Sequence, residues 1–439
     1  MATLLMVESW LHSTGLCLPP IIRRLGHEYV LLTKDRKLYT STGDGRPHPV
    51  VAEASEIVVV DTNDLDAVLD IATTLASRRN IDGVLTTCDY YLETVAAVAA
   101  SLGLPGARPE VMRRANQKHL VRAALDAAGV PNPAFAVVDE WQQTREAAAR
   151  IGTPLIAKPV DLNAGTAVEL IDDDAALKDA FWAVAGFEHN TRGQPLQRLL
   201  LLEEQLQGQE VSVESVTFAG TTTVVGTTDK SITAPPACVE SGHMFPARLG
   251  VEVIREVEAF VRDVLAAIGY THGLSHTEVM ITRDGPRLVE MNPRQGGGYI
   301  FDLVHLVTGT HPLEMLVELA LGRMPRIGDT PAAARTPEAG DTGAVSAAVF
   351  FVMSPRDGVV ERVSGVELLE ADPYVHRWAM PMPAAVRRPR DNDAYLGHVL
   401  VVDPDGAGSR AHAEKVVGNL RLHFDDGDVR APLGVPSGL

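Results

Sequence analysis

The first hundred residues alternate short apolar runs with longer stretches of helical periodicity, and this pattern limits the possible folds more than any other feature of the chain. TLLMVES precedes LPPIIRRLGHEY, and EIVVVD precedes LDAVLDIATTLASRRN. Strands that alternate with amphipathic helices form parallel α/β sheets. The sequence therefore predicts an N-terminal α/β domain, with the loops at residues 9–15 and 86–90 as pocket walls at the carboxyl ends of strands.

The next region follows a different pattern. NQKHLVRAALDAAGVPNP predicts a helix that ends at Gly129, with Pro131 beyond it. PLIAKPV, LNAGTAVEL and RLLLLEEQLQGQEVSVESVTFAG predict strands and turns, with a bend at Gly208. Helices mixed with antiparallel hairpins indicate an α+β region, and hence a second domain.

From Arg323 to Gly343 the composition shifts to Pro, Ala, Gly, Thr and Asp, which predicts an exposed linker. Beyond it, AVSAAVFFVMS, GVVERVSGVELLE, HVLVVDPDG and SRAHAEKVVGNLRLHF predict a small strand-rich lobe closed by one helix. Because 439 residues exceed a single hydrophobic core, we expect three domains. Their predicted bounds are 1–112, 113–330 and 331–439.

Charge and cysteine content argue against several classes of function. The chain has 39 Lys and Arg against 57 Asp and Glu, a net charge of −18, whereas a nucleic-acid or anionic-membrane partner requires a basic face. Cys17, Cys88 and Cys238 are far apart, so neither a disulfide framework nor a zinc site is expected. With no signal peptide or spanning segment visible, the expected location is the cytoplasm.

Polar residues interrupt an apolar strand in LVEMNPRQGGGYIFD, residues 288–302. Glu290 and Asn292 lie in this strand, and Glu278 lies in the strand before it, across the hairpin turn RDGP. A tight antiparallel hairpin would bring the two carboxylates onto one face with the amide oxygen of Asn292, and such an all-oxygen set suits Mg²⁺. The alternative is that both glutamates are solvated strand residues.

Further cationic and glycine residues fit a phosphate site. Arg294 has a planar guanidinium suited to phosphate or carboxylate, and Gly296–Gly298 would let a ligand approach the backbone. Lys118 and Lys158 supply two more cations, and the NAGT turn, residues 163–166, offers backbone N–H donors. Each feature alone also fits a surface ion pair, a partly buried lysine or an ordinary turn.

The order Lys118, AKP with Lys158, NAGT, LLEEQLQGQE, HTE and EMNPR resembles the ATP-grasp superfamily over roughly residues 1–430. This resemblance implies an α/β plus α+β architecture: an N-terminal Rossmann-like (preATP-grasp) domain, two central lobes that grip ATP, and a C-terminal lobe. It also implies ATP and Mg²⁺ as cofactors, with Mn²⁺ as an alternative metal.

The resemblance also implies roles for individual residues. The implied nucleotide-binding residues are Lys118, Lys158, Gly165, Thr166, Glu203, Leu206 and Glu210. The lysines would contact the α- and β-phosphates, and the turn would cover the γ-phosphate. Glu203 and the Leu206 backbone would meet adenine, and Glu210 would meet the ribose. The family's phosphate loop commonly holds several glycines, whereas this loop has only Gly165.

Within the superfamily the chain most resembles the L-amino-acid ligases, which make dipeptides. CVESGHMFPARLG carries this likeness through Glu240 and His243. Glu240 would hold a substrate ammonium group, and His243 would act beside the acyl phosphate because imidazole titrates near neutrality. Gly297 and Arg294 would complete the substrate site. The alternative is that this stretch is a structural loop.

The implied metal ligands are Glu278, Glu290 and Asn292, and the implied catalytic residues are Lys158, His243 and Arg294. ATP would convert an amino-acid carboxylate into an acyl phosphate, which an amine or second amino acid would attack. The rival functions are an ATP-grasp carboxylase or purine-pathway ligase that uses bicarbonate or formate, and a nucleotide-binding module without turnover. The oligomeric state stays open, with a homodimer among the alternatives.

Overall fold

The computed structural model describes residues 1–40, 45–233, 239–328 and 345–433. Its N-terminal part consists of β1 Thr3–Val7, α1 Thr14–Arg24, β2 Glu28–Thr33, α2 Pro49–Ala52, β3 Glu56–Val59, α3 Leu65–Arg78, β4 Gly83–Leu85, α4 Leu92–Ser101 and α5 Pro109–Asn116. The strands form one parallel sheet in the order β3-β2-β1-β4. Alternate residues of β1 belong to two separate cores, one on each face of the sheet. The predicted parallel α/β unit is confirmed, and the loops after β1 and β4 lie at neighbouring strand ends.

A small antiparallel sheet follows. Its elements are α6 Lys118–Ala128, β5 Phe135–Val138, α7 Trp141–Ile151, β6 Leu155–Pro159, β7 Glu169–Ile171, α8 Asp174–Gly186 and β8 Leu200–Glu204. The strand order is β5-β8-β6-β7, and α7 and α8 cover the sheet through a shared apolar core. As predicted, α6 ends at Gly129, which adopts the left-handed conformation with φ 66° while Val130 N–H closes the end by donating to Leu125 O.

The largest sheet has eight antiparallel strands and extends into the C-terminal region. Its central elements are β9 Gln209–Phe218, β10 Thr221–Ile232, β11 Glu240–Phe245, α9 Val251–Ile268, β12 Gly273–Thr282, β13 Gly285–Asn292, α10 Ile300–Thr308 and α11 Pro312–Ala320. The C-terminal elements are β14 Ser346–Met353, β15 Gly358–Ser364, α12 Val366–Ala371, β16 Val375–Ala379, β17 Ala384–Val386, β18 Tyr395–Asp403, α13 Ser409–Gly418, β19 Arg421–Phe424 and β20 Val429–Arg430. The strand order of the large sheet is β13-β12-β9-β10-β11-β14-β18-β16.

The C-terminal lobe is joined to the central lobe more closely than the sequence predicted. β14 pairs with β11, so β14, β18 and β16 continue the large sheet, and only β17, β15, β19 and β20 form a sheet of their own. The lobe also has a second, short helix, α12, besides the expected α13. Strand pairing across a linker leaves no local periodicity in the sequence, which is why the extension was not predicted.

The predicted domain limits stay partly open. The boundary between residues 112 and 113 falls within α5, whose buried side chains share a core with α6 and α9. The boundary at 331, most of the Arg323–Gly343 linker and Cys238 lie outside the described residues. Among the helices of the described ranges, none combines the length and the hydropathy needed to span a lipid bilayer.

Candidate active site

Glu278 and Glu290 face each other across the β12–β13 hairpin. The two residues are directly paired in the strand register, and His276 is paired with Asn292 in the same way. Because side chains two residues apart on a strand point to the same face, Glu278, Glu290 and Asn292 share one face of the sheet. The structure therefore brings the three predicted magnesium ligands together, and magnesium binding itself stays a prediction.

This donor set fits a hard divalent cation, since two carboxylates and an amide offer only oxygen ligands. Both carboxylates are paired with lysines: Glu290 Oε1 lies 3.1 Å from Lys118 Nζ, and Glu278 Oε2 lies 2.8 Å from Lys230 Nζ. Within the described ranges no three His, Cys, Asp or Glu side chains gather as a metal cluster. A cation here would therefore need the Asn292 amide, together with phosphate or water oxygens.

Lys230, on β10, is the centre of a buried charge cluster that was not predicted. Its Nζ lies 2.6 Å from Glu210 Oε1, 2.8 Å from Glu278 Oε2 and 3.1 Å from Glu240 Oε1. Burial alone would lower the pKa of Lys230, but the three carboxylates raise it well above its usual value, so the ammonium group stays charged. Lys230 lies within the strand sequence TTTVVGTTDKSI, where no spacing marks it as functional.

The acids around Lys230 differ in their pKa values. Burial is the largest effect and opposes the ionisation of all three acids. Lys230 and His243 together outweigh it at Glu240, whose pKa falls to about 2, and Lys230 and His276 together outweigh it at Glu278, whose pKa falls well below its usual value. At Glu210 burial prevails and the pKa is raised. The predicted ribose, metal and substrate-ammonium carboxylates therefore share one cation.

His276 holds the other oxygen of Glu278. Its Nδ1 lies 2.7 Å from Glu214 Oε1, and its Nε2 lies 3.3 Å from Glu278 Oε1. Burial would lower the pKa of His276, but Glu214 and then Glu278 raise it to about 10, so the ring is an imidazolium. The HTE motif contained His276, but its partner Glu214 lies on β9 and is identified only by the pairing of β12 with β9.

Glu203 joins Lys158 to Arg122, a residue that the sequence analysis missed. Glu203 Oε2 lies 2.7 Å from Lys158 Nζ, and Oε1 lies 2.5 Å from Arg122 Nε. Burial would raise the pKa of Glu203, but Arg122 and Lys158 outweigh it and lower the pKa to about 2. Both carboxylate oxygens are therefore engaged by the protein, and the implied contact of Glu203 with adenine stays a prediction. Arg122 is four residues after Lys118 on α6, a spacing that places both on one helix face.

The cluster of Arg122, Glu203 and Lys158 also connects the small antiparallel sheet to β13, the strand with the predicted metal ligands Glu290 and Asn292. Arg122 Nη2 donates to Val289 O at 2.7 Å, and Lys158 Nζ donates to the same carbonyl at 3.4 Å. Lys118 Nζ donates to Leu162 O at 2.6 Å, besides its ion pair with Glu290. The two predicted phosphate lysines therefore lie beside β13. Leu206 lies in the connection between β8 and β9, and the contact of its backbone with adenine stays a prediction.

Replacing Glu203 by Gln is expected to destabilise the fold, because Arg122 and Lys158 would stay buried without a charged partner. Breaking a buried pair in this way costs about 3–5 kcal/mol of unfolding free energy. The measurement is the thermal unfolding midpoint, with Glu204→Gln as the matched control. Glu204 is the adjacent residue on the same strand, but its side chain is exposed, so this control should change the midpoint little.

The same variant gives a pH test. The folded-state pKa of Glu203, about 2, lies below its ordinary value of 4.5. Its ionised form therefore stabilises the fold fully above about pH 4.5, and this contribution is lost as the pH falls through about 2. The difference in unfolding midpoint between wild type and Glu203→Gln should shrink over that window. A difference that stays constant on acidification would contradict the ion-pair assignment.

Arg294 pairs with a residue of the N-terminal domain. Its Nε lies 2.7 Å from Asp89 Oδ2, and its Nη1 donates to Gln295 O at 2.8 Å. Burial would lower the pKa of Arg294, but Asp89 raises it. Asp89 lies in the loop 86–90, which the sequence had predicted as a pocket wall without identifying this residue. The N-terminal domain therefore orients the predicted catalytic arginine.

The three glycines after Arg294 have different surroundings. A Cβ at Gly296 would meet Glu214 Oε2 at 2.9 Å. A Cβ at Gly298, where φ is +53°, would meet His243 Nε2 at 2.8 Å. At Gly297 the nearest heavy atom would be Arg294 Nη1 at 3.9 Å. Protein atoms therefore lie where a side chain would stand at Gly296 and Gly298, and at Gly297 the nearest atom is at ordinary contact distance. The approach of a ligand to the backbone of these glycines stays a prediction.

His243 is buried beside the predicted substrate carboxylate. Its Nε2 lies 3.3 Å from Glu240 Oε2, and its ring meets Phe351 edge-on with centroids 5.9 Å apart. Its Nδ1 has no hydrogen-bond partner in the described part of the chain. Since a buried nitrogen without a partner is costly, a bound polar molecule is its expected partner.

The predicted phosphate loop is a turn. Thr166 N–H donates to Asn163 O at 3.2 Å, and the consecutive residues Ala164 and Gly165 have φ values of 59° and 71°. Adjacent left-handed residues expose their backbone groups in a way that suits anion binding. The role of Gly165 and Thr166 at a γ-phosphate stays a prediction.

Three family models match the chain in order. Residues 22–106 match the ATP-grasp N-terminal domain, residues 151–302 match the ATP-grasp domain, and residues 350–425 match the L-amino acid ligase C-terminal domain 2. The chain therefore belongs to the ATP-grasp superfamily. Its C-terminal match is to a domain of the L-amino-acid ligases, the group that the sequence resembled.

Curated relatives and solved structures agree with this assignment. An uncharacterized protein of Sinorhizobium fredii is 26% identical over 90% of this chain and 77% of its own length. Alanine–anticapsin ligase of Bacillus subtilis is 24% identical, with 58% of this chain and 57% of that protein aligned. Human carnosine synthase 1 is 28% identical over 59% of this chain but only 33% of its own length.

The fold is also that of a solved ligase. The structure of the L-amino acid ligase from Bacillus licheniformis superimposes with a TM-score of 0.76 at 20% identity, covering 97% of this chain and 99% of that one. Phosphoribosylglycinamide synthetase from Anaerococcus prevotii superimposes with a TM-score of 0.67 at 15% identity, covering 97% of this chain and 100% of that one. At these identities the likeness establishes the ATP-grasp fold.

Proposed function

We propose that this ligase activates the carboxylate of an amino acid as an acyl phosphate and joins it to an amine or a second amino acid, with release of ADP and phosphate. The observation that carries the proposal is the β12–β13 hairpin, which sets Glu278, Glu290 and Asn292 on one face, with Arg294 directly beyond. The match to the L-amino acid ligase C-terminal domain supports the amine as the acceptor.

The residues around this hairpin supply the charges that phosphoryl transfer requires. Glu278, Glu290 and Asn292 would hold Mg²⁺, which would supply positive charge to offset that of the phosphates. Lys118 and Lys158 would contact the α- and β-phosphates. Arg294, oriented by Asp89, would stabilise the oxyanions that form as the carboxylate oxygen attacks the γ-phosphate. No covalent bond to the enzyme is needed.

The substrate side of the site contains Glu240 and His243. The Glu240 carboxylate is ionised because its pKa is about 2, so it can hold an ammonium group. The Nδ1 of His243 offers a hydrogen bond to the amino acid or to the acyl phosphate. The attacking amine forms the C–N bond at the acyl carbon, and the C–O bond to phosphate breaks. Water must be excluded meanwhile, because hydrolysis of the acyl phosphate would waste ATP.

The decisive experiment measures ADP release by the purified protein with ATP and MgCl₂. Amino acids are supplied singly and in pairs, and the products are identified by mass spectrometry. We expect ADP release that depends on a pair of amino acids, together with an amount of dipeptide equal to the ADP released. Release that depends on bicarbonate or formate would indicate a carboxylase or a purine-pathway type of ligase instead. ATP binding without ADP release under any condition would indicate a nucleotide-binding module.

A further inference from the structure

Asn392 connects two parts of the candidate site that are remote in sequence. It begins the short 3-10 turn Asn392–Ala394, just before β18. Its backbone N–H donates to Ala164 O, in the predicted phosphate loop, at 3.2 Å. Its side-chain Oδ1 accepts from the backbone N–H of Glu240, the predicted substrate carboxylate residue, at 3.2 Å. One residue of the C-terminal lobe therefore contacts both the nucleotide side and the substrate side.

A second residue of the same segment holds Glu240 from the other end. Tyr395 Oη donates to Glu240 O at 3.1 Å. The Tyr395 ring is stacked on Phe351 with centroids 3.9 Å apart and an angle of 4° between the planes, and Phe351 in turn contacts the ring of His243. Both backbone polar groups of Glu240 are thus fixed by the C-terminal lobe. The carboxylate of the same residue lies between Lys230 and His243.

The backbone conformation of the predicted phosphate loop requires stabilising contacts from outside the loop. It contains one glycine, and Ala164 adopts a left-handed conformation that is unfavourable for an L-residue. Such a conformation persists only where surrounding contacts hold it. The C-terminal lobe supplies such a contact, because the backbone N–H of Asn392 donates to Ala164 O.

The geometry points to Asn392 as a positioning residue that couples the position of the phosphate loop to the backbone of Glu240. This inference rests on the proposed ligase function. When an amino acid is bound at Glu240, the β11 backbone holds Asn392, and Asn392 holds the loop over the phosphates. Loss of this link would loosen the loop, and water could then attack the acyl carbon, breaking its bond to phosphate and regenerating the free acid.

The test replaces Asn392 by Ala, which removes the side-chain acceptor of the Glu240 N–H but keeps the backbone N–H that donates to Ala164 O, so the coupling is broken at its Glu240 end. Both phosphate and dipeptide are measured in the amino-acid-pair assay. The expected results are a rise of about fivefold in the KM of the activated amino acid, the effect of one lost neutral hydrogen bond, and phosphate in clear excess over dipeptide. Asn392→Asp keeps an acceptor oxygen and should restore both values towards wild type. Far-UV circular dichroism and the unfolding midpoint check that each variant is folded.

Two controls separate this coupling from general damage. Tyr395→Phe removes the hydroxyl that donates to Glu240 O but leaves Asn392 bonded to both Glu240 and Ala164, so the KM should rise while phosphate and dipeptide stay equal. Asn80→Ala, an exposed asparagine of the N-terminal domain that donates to Asp82, should change neither value.

The outcomes distinguish two kinds of failure. If wild-type protein makes dipeptide and Asn392→Ala matches it in KM and in product ratio, the coupling role is wrong and the ligase function stands. If Asn392→Ala raises the KM without excess phosphate, as Tyr395→Phe should, Asn392 supports Glu240 only and the link to the loop is overturned. If wild-type protein forms no dipeptide, the proposed function itself fails.

Discussion

Replacing Glu290 by Ala is expected to reduce ADP release by at least about a hundredfold, since loss of residues that merely support a metal ligand already costs about 10–100-fold. The side chain of Glu290 is about a quarter exposed, and its partner Lys118 keeps its hydrogen bond to Leu162 O, so folding should be little affected. The measurement is steady-state ADP release at saturating ATP and amino acids, over a range of MgCl₂ concentrations.

The control for this variant is Glu252→Ala, at a glutamate on α9 whose side chain is 83% exposed and pairs only with Arg255 among the ion pairs of the described residues. It should release ADP at the wild-type rate. A Glu290→Ala protein that is folded and equally active would remove Glu290 from the metal site, and with it the central element of the proposed mechanism. A partial loss that high MgCl₂ restores would confirm that Glu290 acts through the cation.

Replacing Arg294 by Ala is expected to lower kcat by about 10²–10³-fold, the usual effect of removing one preorganised donor to a developing oxyanion. Arg294→Lys should restore little of this loss, because a lysine ammonium is a point charge and cannot reproduce the planar fork of the guanidinium. The fork matters here because its Nε is engaged by Asp89 and its Nη1 by Gln295 O, and a lysine ammonium could not make these two contacts in the same geometry.

Arg283→Ala is the matched control, since Arg283 lies in the β12–β13 turn with a side chain that is 93% exposed. It should leave kcat unchanged. Asp89 provides an internal check, because Asp89→Asn keeps the size of the side chain but removes its charge from Arg294. We expect an intermediate loss of kcat for that variant. Full activity of Arg294→Ala would contradict its assignment to the acyl phosphate.

The two variants address different parts of one electrostatic arrangement. The acidic side chains of Glu278, Glu290 and Glu240 lie in this region, with Lys118 and Lys230 in ion pairs with them and Arg294 nearby. Buried charges of both signs at this density are stable only when paired. In the proposed reaction these ion pairs would exchange partners as ATP and the dication bind. Before binding, each charged side chain is paired within the protein and is not solvated as a free ion.

Some features of the site were predictable because they are local. The hairpin that pairs Glu278 with Glu290 is encoded by two short strands around the turn RDGP, so their common face followed from strand periodicity. The helix end at Gly129 and the parallel direction of the N-terminal strands were also encoded within short stretches. The resemblance to ATP-grasp proteins rested on such stretches in a fixed order.

Other features were not predictable because they join residues that are distant in the chain. Lys230 has no motif of its own, and its three acids come from β9, β11 and β12. Asp89 reaches Arg294 from another domain, and Arg122 meets Glu203 across 81 residues. Protein atoms also lie beside two of the three glycines after Arg294, and the sequence did not indicate this.

The sequence by itself determined the classes of secondary structure, the shared face of the β12–β13 hairpin and the ATP-grasp likeness, because periodicity and tight turns act over a few residues. Tertiary structure alone decided which cation meets which carboxylate, that β14 carries the C-terminal lobe into the large sheet, and that Asn392 contacts both Ala164 and Glu240. These contacts depend on strand pairing and packing between distant segments, and no local pattern encodes them.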